Sequence, residues 1–148
     1  MDGNAEYGSV FGEGNKWTEE AEEKLKKLVY VSGPISRGDQ FRNVQAGIDA
    51  FNLLLNAGIY AHCPHFTAFA HMTNPRPHDV WLDLDINAIL PRCSAVYRLP
   101  GESVGADYEV KNAKMLGLPV FTDFTELVQW HQACEQQDRR AVGTEGRV

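Results

Sequence analysis

The sequence predicts a small doubly wound, flavodoxin-like α/β domain: a parallel sheet of four to five strands with helices on both faces. Three observations lead there. Short apolar runs rich in β-branched or aromatic residues at 28–31, 59–63, 95–99 and 119–121 read as buried strands. Stretches with helical spacing separate them, so successive strands need crossover connections and run parallel. The 148 residues, 43% hydrophobic and 23% charged, suit one globular core rather than a disordered or fibrous chain.

Residues 1–16, with Gly3, Gly8, Gly12 and Gly14 and almost no branched aliphatics, read as a flexible arm. A short exposed helix is expected over 18–27, where Glu and Lys dominate. The working domain is expected over 17–137, with a flexible tail at 138–148. The first strand ends at Ser32-Gly33-Pro34, a turn. Asp39 then caps a helix whose apolar residues Phe41, Val44, Ile48, Phe51 and Leu55 recur at three- and four-residue steps, and Gly58 closes it. The second strand stops at Pro64, and the three prolines of Pro64–His78 predict a long, ordered loop. Helices are expected over Val80–Leu90 and Gly105–Leu116, the latter ended by Gly117. Thr125 is expected to cap a last helix running to about Gln136.

Charge and cysteine content bound the function. A net charge of −6 argues against polymeric nucleic acid, which needs a basic face, but leaves room for one small phosphorylated ligand. Seven acidic and four basic residues fall within 1–27, so part of that charge lies outside the core. Three widely spaced cysteines form no disulfide framework, which fits a reducing compartment. No apolar run approaches the ~18 residues of a membrane span, and no leader pattern opens the chain, so a cytoplasmic protein is expected.

Doubly wound folds bind ligands beyond the carboxyl ends of their strands. Three loops qualify: 32–38, 64–78 and 100–105. The third enters a helix through Ser103-Val104-Gly105, where free N–H groups and the helix dipole favour an anion. Glu109 lies one turn beyond Gly105 on the same helix face. Capping explains the same residues without a ligand, with Ser103 as N-cap and Glu109 as a first-turn acid. The first loop, Ser32-Gly33-Pro34-Ile35-Ser36-Arg37-Gly38, has the glycines, hydroxyls and arginine of a phosphate-cradling turn but is neither a Walker A nor a dinucleotide fingerprint. Asp79, Asp83 and Asp85 are not expected to share one helix face, so either Asp83 or Asp85 could meet a pocket while Asp79 caps. His62, Cys63, His65, His71 and His78 match no paired-ligand spacing, and no metal or other cofactor is expected.

Together these loops resemble the nucleoside 2-deoxyribosyltransferase family and its relatives, the 2′-deoxynucleoside 5′-monophosphate N-hydrolases. Three segments within 28–122 carry the resemblance: Tyr30-Val31-Ser32-Gly33-Pro34-Ile35-Ser36; an Asp in a Trp- and Leu-containing helix, with Asp85 the closest fit and Asp83 the alternative; and Ser103-x-Gly105-x-x-x-Glu109 followed by Leu116-Gly117-Leu118-Pro119-Val120. Asp107 stands where a second glycine is common, and Ser36 where some N-hydrolases carry arginine.

The resemblance implies that Glu109 is a nucleophile at the anomeric carbon, kept ionised by its helix N-terminus. Asp85 would position Glu109 or protonate the leaving base. Ser103, Gly105 and the turn Gly33, Pro34, Ile35, Ser36, Arg37 would anchor phosphate or sugar. Trp81, with Tyr30, Phe66 and Phe69, could sandwich the base. The reaction implied is N-glycosidic cleavage of a (2′-deoxy)nucleoside 5′-monophosphate, with base exchange by a transferase, or nucleotide sensing without catalysis, as alternatives. The resemblance also implies a homo-oligomer, for which Leu127, Val128 and Trp130 of the last helix are the expected surface.

Overall fold

A computed structural model describes residues 27–145. The arm at 1–16 and all but the last residue of the helix expected over 18–27 lie outside them. Strands β1 (Leu28–Ser32), β2 (Tyr60–His62), β3 (Ala95–Arg98) and β4 (Val120–Phe121) form one parallel sheet in the order β2-β1-β3-β4. The predicted doubly wound fold is therefore present, with four strands among the described residues. Chain order reverses between β1 and β3, which opens the ligand crevice beyond their carboxyl ends.

The two-residue alternation of β1 sorts the core into two layers. Val29 and Val31 pack with Ala50 and Leu54 of α1 (Gln40–Asn56) and with Leu127 of α5 (Phe124–Glu145). Tyr30 points the other way, against Ile86, Leu90, Val96 and Ala113, the last from α4 (Val104–Met115). Asp39 caps α1, its Oδ1 accepting from the Arg42 N–H at 3.1 Å, and Gly58 follows with φ of 75°.

The buried stripe of α1 differs from the expected one. Gly47, Ala50 and Leu54 are buried, whereas Phe41 is 79% and Leu55 45% exposed. The cause is close approach: a Cβ on Gly47 would lie 2.2 Å from the His65 ring. Small residues let the helix sit on that imidazole, and Phe41 and Leu55 turn outward while Leu54 stays in the core.

The segment expected as a loop is largely helical. Pro64–Phe66 forms a 3-10 turn that runs into α2 (Thr67–Thr73), and α3 (His78–Asp83) follows. A π-helical stretch over Leu84–Ile89 then leads into a 3-10 turn at Leu90–Arg92, which contains Pro91. At the other end, Asp123 rather than Thr125 caps α5, accepting from the Glu126 N–H at 2.9 Å. That helix also continues nine residues past the expected end at Gln136, through good helix formers such as Arg139, Arg140 and Ala141. Leu127, expected at a subunit surface, is fully buried, and Val128 and Trp130 pack against the same core. No helix of the described residues is long and apolar enough to cross a membrane.

Candidate active site

Glu109 is carried by the sheet-facing stripe of α4, where Ala106, Glu109 and Ala113 are the buried residues. Flanking alanines leave room for one large polar side chain. Glu109 is 7% exposed, and the middle and carboxyl end of β1 meet its carboxylate directly. The Tyr30 hydroxyl donates to Oε1 at 2.9 Å and the Ser32 hydroxyl to Oε2 at 2.6 Å. Ser103 is the N-cap, accepting from the Ala106 N–H at 3.1 Å, and the first-turn acid is Asp107. Glu109 is thus neither cap nor ordinary first-turn acid.

Burial pushes the Glu109 carboxyl up to about 7, against the opposing pull of the Ser32 and Tyr30 hydrogen bonds. Asp85 raises it further and Arg98 lowers it. Desolvation therefore outweighs the helix-terminus effect that was expected to keep this group ionised. Tyr30 is held well above the ordinary phenol range by burial and by the charge of Glu109, so it stays a hydrogen-bond donor.

Asp85 is the second buried carboxylate, 5% exposed, and it sits in the π-helical stretch beside buried Ile86. A π turn widens the helix and changes where its side chains aim, a feature frequent at functional sites. Of the three acids, Asp85 is turned inward, while Asp79 and Asp83 are exposed and line a separate depression with Tyr108 and Asn112. Asp79 and Asp83 do share a helix face, as four-residue spacing requires. Asp85 instead lines a cavity of about 450 Å³ together with Ile35, Ser36, Gln40, Trp81 and side chains of α2.

The structure brings most of the predicted residues to this end of the sheet. Ile35, Ser36 and Trp81 line the cavity with Asp85. Gly33 is buried against Leu99, where a Cβ would come within 3.0 Å, and Pro34 lies under Gly101, whose φ is 112°. Arg37 spans the gap between the first and third loops and pairs with Glu102 at 2.9 Å, while Ser103 lines the hollow that they share. Gly105 has a negative φ and free space: the nearest atoms to a built Cβ are His78 Nε2 and Ser103 Oγ, both at 3.9 Å.

Other expectations change. Trp81 donates to His71 Nδ1 at 3.0 Å and carries the Arg76 guanidinium 5.5 Å from its ring centre, so cation–π contact occupies one ring face. Phe66 packs edge-on against Phe51, and neither Phe66 nor Phe69 lines the cavity. Tyr30, fully buried, serves Glu109 rather than a base. Among the described residues no three His, Cys, Asp or Glu side chains converge as a metal site.

Sequence reasoning did not identify Ser32 and Tyr30 as the partners of Glu109. A signal was present: polar groups at alternate positions of a strand whose other face is pure valine. It also missed His65, which is 1% exposed and bridges Cys63 Sγ (3.5 Å) and the Pro34 carbonyl (3.1 Å), pinning the first loop to α1. Burial lowers its pKa, so the ring is neutral, with Nε2–H donating to Pro34 and Nδ1 facing the thiol. Asp107, at the position where the sequence departs from the resemblance, pairs with Arg98 at 3.0 Å. Arg98 also donates to the Gly101 carbonyl, fixing the third loop.

What the fold and site define is a small doubly wound α/β protein with two buried carboxylates at its topological switch point. The chain matches no family model, no curated protein and no solved structure.

Proposed function

We propose that this protein cleaves the N-glycosidic bond of a (2′-deoxy)nucleoside 5′-monophosphate and releases the free base. One observation carries the reading: a caged carboxylate, Glu109, feels the charge of a second, Asp85, and Asp85 lines a cavity of small-molecule size. The two carboxyls hold one proton between them, and in the reactive form it lies on Asp85 with Glu109 ionised. A Glu109 oxygen bonds to C1′ as the C1′–N bond breaks; the bonding pair leaves with the base, which takes that proton from the Asp85 carboxyl. Water then attacks C1′ and gives a proton to the Asp85 carboxylate, and the C1′–O bond to Glu109 breaks. Both side chains are restored, and the products are base and sugar 5-phosphate. This is the two-step logic of retaining glycosidases applied to a nucleotide. The turn Gly33–Arg37, Ser103 and Gly105 are assigned to phosphate and sugar, and Trp81 to the base. Three free cysteines suit a cytoplasmic setting. The proposed homo-oligomer would use a surface other than Leu127, Val128 and Trp130.

The test is base release from a panel of nucleosides and 5′-monophosphates. The expected profile falls as pH rises through about 7, where the pair loses the one proton it holds. Glu109→Ala should reduce release roughly 10³-fold. A transferase would make a new nucleoside when a second base is added. One observation favours a sensing role instead: both Glu109 oxygens already accept O–H bonds. Nucleotide binding with no base release would establish that second reading.

A further inference from the structure

His62 lies on the sheet face that carries Tyr30, directly across the β1–β2 pair from it, with ring centres 5.6 Å apart. Its Nε2 is 3.5 Å from Asp85 Oδ1. Both atoms are buried and neither has a hydrogen-bond partner. Two unsatisfied polar atoms facing each other in a protein interior are costly, and such exceptions call for an explanation, a catalytic role among them. The separation is a few tenths of an ångström beyond a hydrogen bond, a gap that catalytic pairs commonly close when substrate enters.

We infer that His62 is a positioning residue for Asp85, an inference that rests on the glycosidic reading above. With Nε2 protonated, the imidazole donates to Oδ1 and leaves Oδ2 as the oxygen that faces the ligand cavity. The bond becomes strong after Asp85 has passed its proton to the departing base, because the acceptor is then a carboxylate. The strand pair thus sets two supports side by side: Tyr30 braces the nucleophile Glu109, and His62 braces the acid Asp85. No proton is gained or lost by His62 in the cycle. Tyr30, Cys93, Asp85 and Glu109 are titratable groups on this wall, and His65 feels the charge of Asp85.

The experiment compares wild type with His62→Gln and His62→Ala on two 2-deoxyribosyl 5-phosphates, one carrying a natural base and one carrying 4-nitrophenolate, which leaves without a proton. With the natural base, kcat should fall about tenfold or more in both variants at little change in KM. With 4-nitrophenolate it should change less than about twofold. An equal fall on both leaving groups, or no fall on the base, overturns the inference. A second readout needs no turnover: the ¹⁵N resonance of His62 Nε2 should move in Asp85→Asn and stay in Asp79→Asn. If wild type releases base from nothing, the glycosidic reading fails, and an unmoved Nε2 resonance overturns the His62–Asp85 contact separately.

Discussion

The two faces of the sheet are built from the same strands and both bury apolar side chains, but only one of them buries charged groups. Under α1 and α5 the buried strand residues are Val29, Val31 and Ala95, an apolar layer closed by Leu54, Ile59 and Leu127. Under α4 and the π-helical stretch the same strands offer Tyr30, Ser32 and His62, and the opposing elements supply Asp85 and Glu109. The first face stabilises by removing apolar surface from water. The second buries charge and leaves polar atoms unpaired, which opposes folding unless a ligand uses it. Both layers therefore carry the fold, but only the second, where Ile86, Leu90, Val96 and Ala113 surround the polar groups, also carries the chemistry.

The largest expected effect breaks the first face. Leu54 is fully buried on α1, and Leu54→Ala leaves a cavity in close-packed surroundings. A loss of about 2–5 kcal/mol is expected by chemical denaturation, a large share of an ordinary domain's stability. Activity per folded molecule should be unchanged, since Leu54 packs in the apolar layer with Val29, Val31 and Leu127. A fall in activity beyond the fraction unfolded would show that the layers are coupled.

Glu109→Gln sharpens the comparison with the opposite sign. The carboxyl is near its ordinary 4.5 when unfolded and is raised to about 7 in the fold. Below about pH 4 both states hold the proton and the group contributes no difference. Between the two values the folded form keeps a proton that the unfolded form releases, so stability declines as pH rises. Above the folded value the cost is complete, on the order of 3 kcal/mol. The amide cannot ionise, so Glu109→Gln should be more stable than wild type near pH 8, by up to about 3 kcal/mol, and no more stable near pH 4. Denaturation midpoints at the two pH values decide it. A variant that gains nothing at high pH would mean that Glu109 is ionised at no cost.

Legibility in the sequence divided along the same line. The strand runs, the Asp39 cap and the glycines at 58 and 117 are local signals, and each appears where period and turn chemistry put it. Glu109 was legible as a candidate from its offset to Gly105, whereas Asp85 was preferred to Asp83 only through the resemblance. The environment of neither was legible. That Ser32 would cage Glu109 depends on contacts 77 residues apart, and the pleat alone does not say which helix will cover it. The outward turn of Phe41 had the same origin, since Gly47 reads as a weak helix residue until His65 is known to lie beneath it.

The smallest expected effect concerns the rim between the layers. Gly105 has no backbone need for glycine, and a methyl group there would meet only ordinary contacts at 3.9 Å. Alanine is the better helix former by about 1 kcal/mol in a helix interior and less at a first turn. Gly105→Ala should therefore leave the melting temperature unchanged or slightly raised. The methyl group would project between Ser103 and His78, at the free N–H groups assigned to the substrate phosphate. KM for a 5′-monophosphate should rise about tenfold while the unphosphorylated nucleoside is unaffected, a difference worth about 1.4 kcal/mol. Equal change for both substrates would move the phosphate elsewhere, with the Arg76 and His71 side of the cavity as the next place to look.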